Sequence, residues 1–288
     1  QGNKRVWLRT KQEALPETGE DIANEEVGAW GVYEAYMTLD RSSLRFNATS
    51  DGSHITSSQS VRINLSGSET ARWEVSTDRS WLQLAPSSGA GDGTLTVSVD
   101  PLTFPLTSWD GTVSVSLTSG EISNSPQRVS ISGTVYTTGT TSAPFGRFDT
   151  PAEGATGITG AIAVTGWALD DMEVSGVQIW RDPVPGEGNG LIFVGDAVFV
   201  EGARPDVEAA FPAQPFAHRA GWGYMLLTNF LPGSGNGTFT LHAIATDVEG
   251  RQASLGTKTI TCDNANGTRP FGTIDTPAQG GTASGVFR

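Results

Sequence analysis

Apolar side chains recur at every second residue through most of this chain, with hydroxyl, amide or charged residues between them. Val61, Ile63 and Leu65 alternate with Arg62 and Asn64, and Leu95, Val97 and Val99 alternate with Thr94, Thr96 and Ser98. Val113, Val115 and Leu117 repeat the pattern, and Val129, Ile131, Gly133 and Val135 continue it. A period of two buries one face of a pleated strand and wets the other, as in half-buried antiparallel sheet. Turn residues separate the runs at Pro86-Ser87-Ser88-Gly89, Gly91-Asp92-Gly93 and Asp110-Gly111. Short strands at even spacing with turns between them predict a sandwich of two sheets. This first block covers residues 42–136.

Residues 137–143 carry no large side chain and read as a linker. A second block, 144–268, has the same period. Ile162 and Val164 lead to Gly166-Trp167, Val177 and Ile179 alternate with Gln178 and Trp180, and Phe239, Leu241, Ala243 and Ala245 share one face. Between its central strands lies a long insertion, about 182–232, with its own candidate strands at Leu191–Val200 and Gly223–Asn229. A segment of that length must be structured or functional.

An internal repeat then constrains the organisation. Pro144-Phe145-Gly146-Arg147-Phe148-Asp149-Thr150-Pro151-Ala152-Glu153-Gly154-Ala155-Thr156 recurs 126 residues later, from Pro270 to Thr282, with nine of thirteen positions identical. Residues 269–288 therefore read as the start of a further module in a tandem array. Residues 1–41 carry two apolar pieces, Val6-Trp7-Leu8 and Trp30-Gly31-Val32-Tyr33, around an acidic stretch. They read as the trailing strands of an upstream domain, with a helix through Glu25–Met37 as the competing expectation. The start at Gln1, with no apolar leader after it, suggests a piece of a longer protein.

Composition narrows the function classes. With 31 acidic against 18 basic residues the net charge is −13, which supplies no basic footprint for nucleic acid and disfavours anionic lipid. No run approaches the roughly 18–20 apolar residues of a membrane-spanning helix. The single cysteine, Cys262, rules out a disulfide within the chain and alternates onto the same face as Ile260, as a small buried hydrophobe.

The string Trp73-Glu74-Val75-Ser76, then Ser80-Trp81-Leu82-Gln83-Leu84 and Pro86-Ser87-Ser88-Gly89, resembles the BACON domain over about 43–136. Gly93–Val99 and Gly111–Val115 fit the same pattern. The resemblance implies an immunoglobulin-like sandwich of a bacterial extracellular protein, in a family named for a proposed carbohydrate-binding role that is not general. Asp149–Thr156, Gly166-Trp167-Ala168-Leu169-Asp170-Asp171, Val177–Trp180 and Ala243-Ile244-Ala245-Thr246-Asp247-Val248-Glu249-Gly250 resemble a tandem bacterial Ig-like domain over about 144–262. Together they imply an all-β fold: two immunoglobulin-like β-sandwiches in tandem, flanked by fragments of adjacent domains. The function they imply is a non-catalytic extracellular spacer or adhesion-type array on a secreted or cell-surface bacterial protein. Neighbouring domains, glycans or other cell-surface components would be its partners. A carbohydrate-binding accessory to a secreted hydrolase is the alternative, and an enzyme with its site in the insertion or upstream is a third.

Candidate chemistry is sparse. His54, His218 and His242 lie far apart, and neither a Gly-x-Ser-x-Gly elbow before a helix nor His-Glu-x-x-His occurs. Gly186-Glu187-Gly188-Asn189-Gly190 is glycine-rich but does not join a strand to a helix. Asp170 with Asp171 and Asp206 with Glu208 are paired carboxylates, but glycosidases need two such groups facing each other across a cleft. As near neighbours they read as solvated turn acids. No catalytic or cofactor-binding residue is expected. Calcium is a candidate at Asp170, Asp171, Asp247 and Glu249, which fall at strand ends, although no Asp-x-Asp-x-Asp-Gly comb is present. Asp247–Gly250 also reads simply as a hairpin turn. Sugar stacking would use exposed aromatic faces, for which Trp109, Trp180, Trp222 and Tyr224 are candidates, whereas Trp73 and Trp81 read as core. Phe211, Phe216 and Trp222 could instead form a small core of the insertion.

Overall fold

The structure, a computed structural model, describes residues 36–66, 71–105, 107, 109–119 and 124–267. It divides into two units, one holding residues up to 46 and 57–135, the other 47–56 and 136 onward.

In the first unit the alternating runs become β1 (Tyr36–Leu39), β2 (Ser43–Arg45) and, after β3 (Ala48–Thr49) among the residues of the other unit, β4 (Gln59–Ser66). Then come β5 (Arg72–Thr77), β6 (Leu82–Ala85), β7 (Ser88–Ala90), β8 (Gly93–Val99), β9 (Trp109–Ser119), β10 (Gln127–Gly133) and β11 (Val135–Tyr136). One sheet has the order β1-β4-β8-β6 and the other β2-β10-β9-β5-β7. These are the positions A-B-E-D and G-F-C of an immunoglobulin sandwich. β2 runs parallel to β10, so the first strand is shared between the two sheets.

The alternation is what the core uses. Val61, Ile63 and Leu65 on β4, Leu95, Val97 and Val99 on β8, Val113 and Val115 on β9, and Val129 and Ile131 on β10 are all buried. Trp73 fills the space beside the β7–β8 turn. A Cβ at Gly89 would stand 2.2 Å from its ring and one at Gly93 2.5 Å, so both positions need glycine for close approach rather than for a turn. The indole of Trp73 donates to the Gly91 carbonyl at 2.9 Å.

The second unit is built from β12 (Phe145–Thr150), β13 (Ala155–Ile158), β14 (Ala161–Leu169), β15 (Val174–Arg181), β16 (Ile192–Asp196), β17 (Val198–Phe199), β18 (Gly221–Leu227), β19 (Asn236–Asp247) and β20 (Gln252–Asp263). Its sheets, β12-β14-β18-β17 and β13-β20-β19-β15-β16, repeat the central order of the first unit, but the two short edge strands are visited in the opposite sequence, and again a parallel pair, β13 with β20, splits the first strand. Phe148, Val164, Val177, Ile179, Trp222, Phe239, Leu241, Ile260 and Cys262 are among its core residues.

Three expectations change here. Much of the segment read as an insertion is not one: β16 pairs with β15, β17 with β18, and β18 pairs with β14 in the middle of its sheet. The added piece is the stretch between β17 and β18. It contains α1 (Pro205–Ala210), entered through a proline with Asp206 and Glu208 in its first turn, which suits a helix start. Val207, Ala217 and Ala220 bury against Leu169, with Phe145, Trp167 and Phe211 packed around them. Tyr36–Leu39, assigned from the sequence to an upstream remnant, is an edge strand of the first sandwich, antiparallel to β4. Thr141, placed in the linker, is buried. The remaining expectations for the N-terminal stretch, and the second copy of the repeat, lie outside the described residues.

Candidate functional site

The register of β15 with β19 sets Val174 opposite Asp247. The turn entering β15 and the turn leaving β19 therefore meet at one end of the second unit. One carries Asp170, Asp171 and Glu173, the other Asp247, Glu249 and Arg251. One carboxylate oxygen each from Asp170, Asp171 and Glu249 lie within 4.8 Å of one another.

The four calcium candidates have different settings. Asp247 is spent on its own turn: Oδ1 accepts from the backbone N–H groups of Glu249 at 2.9 Å and Arg251 at 2.8 Å, and Oδ2 from Arg251 Nε at 3.0 Å. Asp170 Oδ2 accepts from the N–H groups of Met172 at 2.7 Å and Glu173 at 3.1 Å, while its Oδ1 is buried with no partner. Asp171 Oδ2 accepts from Ser142 N at 2.7 Å, and its Oδ1 is likewise buried without a partner. Glu249 Oε1 accepts from the Thr141 hydroxyl at 2.7 Å, and Oε2 meets the Arg251 guanidinium, which also reaches the Thr141 carbonyl. Asn47 and Thr56, in the same unit, donate to the carbonyls of Asp171 at 2.6 Å and Met172 at 3.1 Å and so fix this loop.

Asp170 and Asp171 are therefore not the solvated turn acids their adjacency suggests: they are 1% and 7% exposed. Burial raises the Asp170 carboxyl to about 7, against the pull of the Met172 N–H and with a further push from the charges of Asp171 and Asp247. The cations close by are Arg251, on Asp247 and Glu249, and Arg219, 3.0 Å from Glu173. Among the described residues, five carboxyl groups thus lie by two guanidiniums.

Of the other paired acids, Asp206 is neutralised locally. Arg204 grips Asp206 and also Asp149 at 2.6 Å, and the hydrogen bond from Arg204 holds the Asp206 carboxyl down at about 2. In the glycine-rich loop, Glu187 takes two hydrogen bonds from Arg181, at 2.6 and 2.7 Å, and one from Val184 N at 2.9 Å; the Arg181 bonds hold it at about 2. A loop closed around a carboxylate repels phosphate. The histidines stay apart: His242 lies 2.8 Å from Asp182 and His218 3.8 Å from Glu201.

Of the four aromatic candidates, three turn inward. Trp109 is buried, packed 5.4 Å from Trp81 and edge-on to Phe104. Trp222 is buried in the second core, 5.8 Å from Phe148, so it belongs neither to a surface nor to a separate small core. Tyr224 packs against the same core and donates its hydroxyl to the Val194 carbonyl at 3.2 Å. Trp180 is half-buried on the outer face of β15, edge-on to Phe193 at 5.3 Å, and Phe193 is 47% exposed. Phe193, which the sequence did not single out, completes the one aromatic pair among the candidates that faces out.

No protein-family model matches the chain, and no curated protein matches it. Among solved structures, the fibronectin(III)-like modules of Clostridium thermocellum CbhA are similar over 83% of this chain and 100% of theirs, at 14% identity and a TM-score of 0.28. A Bacteroides ovatus GH5 xyloglucanase in complex with a XXXG heptasaccharide is similar over 42% of this chain, at 17% identity and a TM-score of 0.28; the match spans 22% of that enzyme. Drosophila N-cadherin EC1-4 is similar over 81% of this chain and 50% of its own, at 11% identity and a TM-score of 0.27. Likenesses this distant carry no argument. The fold class follows from the strand order of each unit, which is that of an immunoglobulin-like β-sandwich.

Proposed function

We propose that the chain is a non-catalytic run of extracellular immunoglobulin-like modules, a BACON-like sandwich followed by a tandem bacterial Ig-like one, which spaces or displays neighbouring domains of a longer protein. The observation that carries this reading is how the interiors are used: both sandwiches spend their inward faces on packed apolar side chains. The cavity by Ala168, Leu169, Asp170, Val174, Phe199, Pro215, Phe216 and Arg219 measures about 10 Å³, no more than a single water needs. The repeat at an offset of 126 residues supports an array.

The Trp180–Phe193 pair favours a second reading, carbohydrate binding. Gln178, bonded to Asp196 at 3.0 Å, and His242, bonded to Asp182, flank the pair and could orient a sugar. The two readings separate on an array of plant and bacterial polysaccharides probed with the whole chain. No retention is expected. Retention that disappears in both Trp180→Ala and Phe193→Ala would replace the spacer reading with the carbohydrate-binding one.

A further inference from the structure

We propose that Asp170, Asp171 and Glu249 form a calcium site at the end of the second sandwich. Three observations converge on it, and none depends on the spacer reading.

The first is geometric. Three carboxylate oxygens from two separate turns lie within 4.8 Å of one another. Calcium–oxygen bonds of about 2.3–2.6 Å place three evenly spaced ligands about 4.0–4.5 Å apart. The spacing accepts calcium with at most a few tenths of an ångström of closure.

The second is an unmet valence. Asp170 and Asp171 are almost wholly buried, yet Oδ1 of each has no hydrogen-bond donor. A buried carboxylate oxygen left unpaired is costly, and the neighbouring backbone is already committed to the Oδ2 atoms. The loop is built to hold both carboxylates in place and leaves one oxygen of each unanswered.

The third is charge. With Asp247 and Glu249 held by Arg251, and Glu173 by Arg219, no cation among the described residues forms an ion pair with Asp170 or Asp171. A dication shared by these two and Glu249 supplies one. The set offers oxygen alone, with no imidazole or thiolate, which selects a hard ion over zinc or copper. Waters would complete the six to eight ligands that calcium takes.

The test is calorimetric titration of CaCl2 into the chelator-treated 288-residue chain at pH 8, together with melting curves in calcium and in magnesium. One saturable calcium site is expected, with a dissociation constant of about 10⁻⁴–10⁻³ M, as for extracellular modules. The melting temperature should rise with calcium, and magnesium at equal concentration should do less. Asp171→Asn should weaken binding by at least about tenfold, since it removes a ligand charge. Asp170→Asn should abolish the calcium-dependent rise while melting, without calcium, no lower than the parent. That second result separates lost ligation from lost folding. Absence of a calcium effect on the parent chain, an equal effect of magnesium, or an undiminished calcium effect in Asp171→Asn would each overturn the proposal.

Discussion

The two units share the central strand order of a sandwich, with their short edge strands exchanged, but not a way of using polar and apolar residues. In the first, alternation is kept almost without exception: apolar residues face in, and serine and threonine cover the outer faces. Tyr36 and Leu102 are its exposed large hydrophobics among the described residues. In the second, Val198, Met225 and Leu227 stand on the outer face of the β14-β18-β17 sheet and Phe193 on that of the other. The buried charged residues among those described, Asp170, Asp171, Glu173, Arg181 and Asp247, also belong to the second unit. A single fold thus tolerates two distributions: one sandwich is an inert pattern, the other carries ionisable groups inside and greasy ones outside.

The sharpest test of the shared part is to cut one indole from each core. Trp73→Ala and Trp222→Ala should each cost about 3–5 kcal/mol in denaturant unfolding, as large aromatic deletions from packed cores do. A cost under about 1 kcal/mol for either would mean that the two interiors are not equivalently packed. The difference in buried charge is tested at one acid of each unit. Asp247→Ala strips a buried acceptor from two N–H groups and a guanidinium and should cost about 3 kcal/mol. Asp78→Ala, losing one exposed bond at 2.8 Å to Thr112 N, should cost about 1 kcal/mol. Equal costs would erase the contrast. The smallest effect concerns the outer faces. Met225→Thr with Val198→Thr should change stability by no more than about 0.5 kcal/mol per site, yet shorten retention on a hydrophobic column.

The same contrast decides what could be read from residues alone. Strict alternation gave the inward faces of β4, β8, β9 and β10 residue by residue. It also held the correct answer for Trp109, which shares parity with Val113 and Val115; the adjacent Asp110-Gly111 turn signal hid that β9 begins there. The run Gly221-Trp222-Gly223-Tyr224-Met225-Leu226-Leu227 is apolar on both faces, so parity could not say that Trp222 and Leu226 point in and Met225 out. Asp170, Asp171, Asp247 and Glu249 were recognisable as strand-end acids. Their separation into two unsatisfied ligands, one partly engaged and one fully spent, depends on which backbone N–H groups the turns present, and that is a property of three-dimensional loop geometry. The supposed insertion failed for a related reason. Strands β16 and β17 are short and lie next to glycine-rich turns, and only pairing across the sheet reveals them as regular positions.

Strand length has its own consequence. The middle strands β9, β19 and β20 are 11, 12 and 12 residues long, whereas the eight border strands run from 2 residues in β17 to 6 in β12. In the tandem array proposed for this chain, copies of one module would meet at high effective concentration, where open ladder borders invite zippering into fibrils. Such stunted margins offer too few free amides to template a neighbour, so a chain of these repeats can lengthen without gluing itself together.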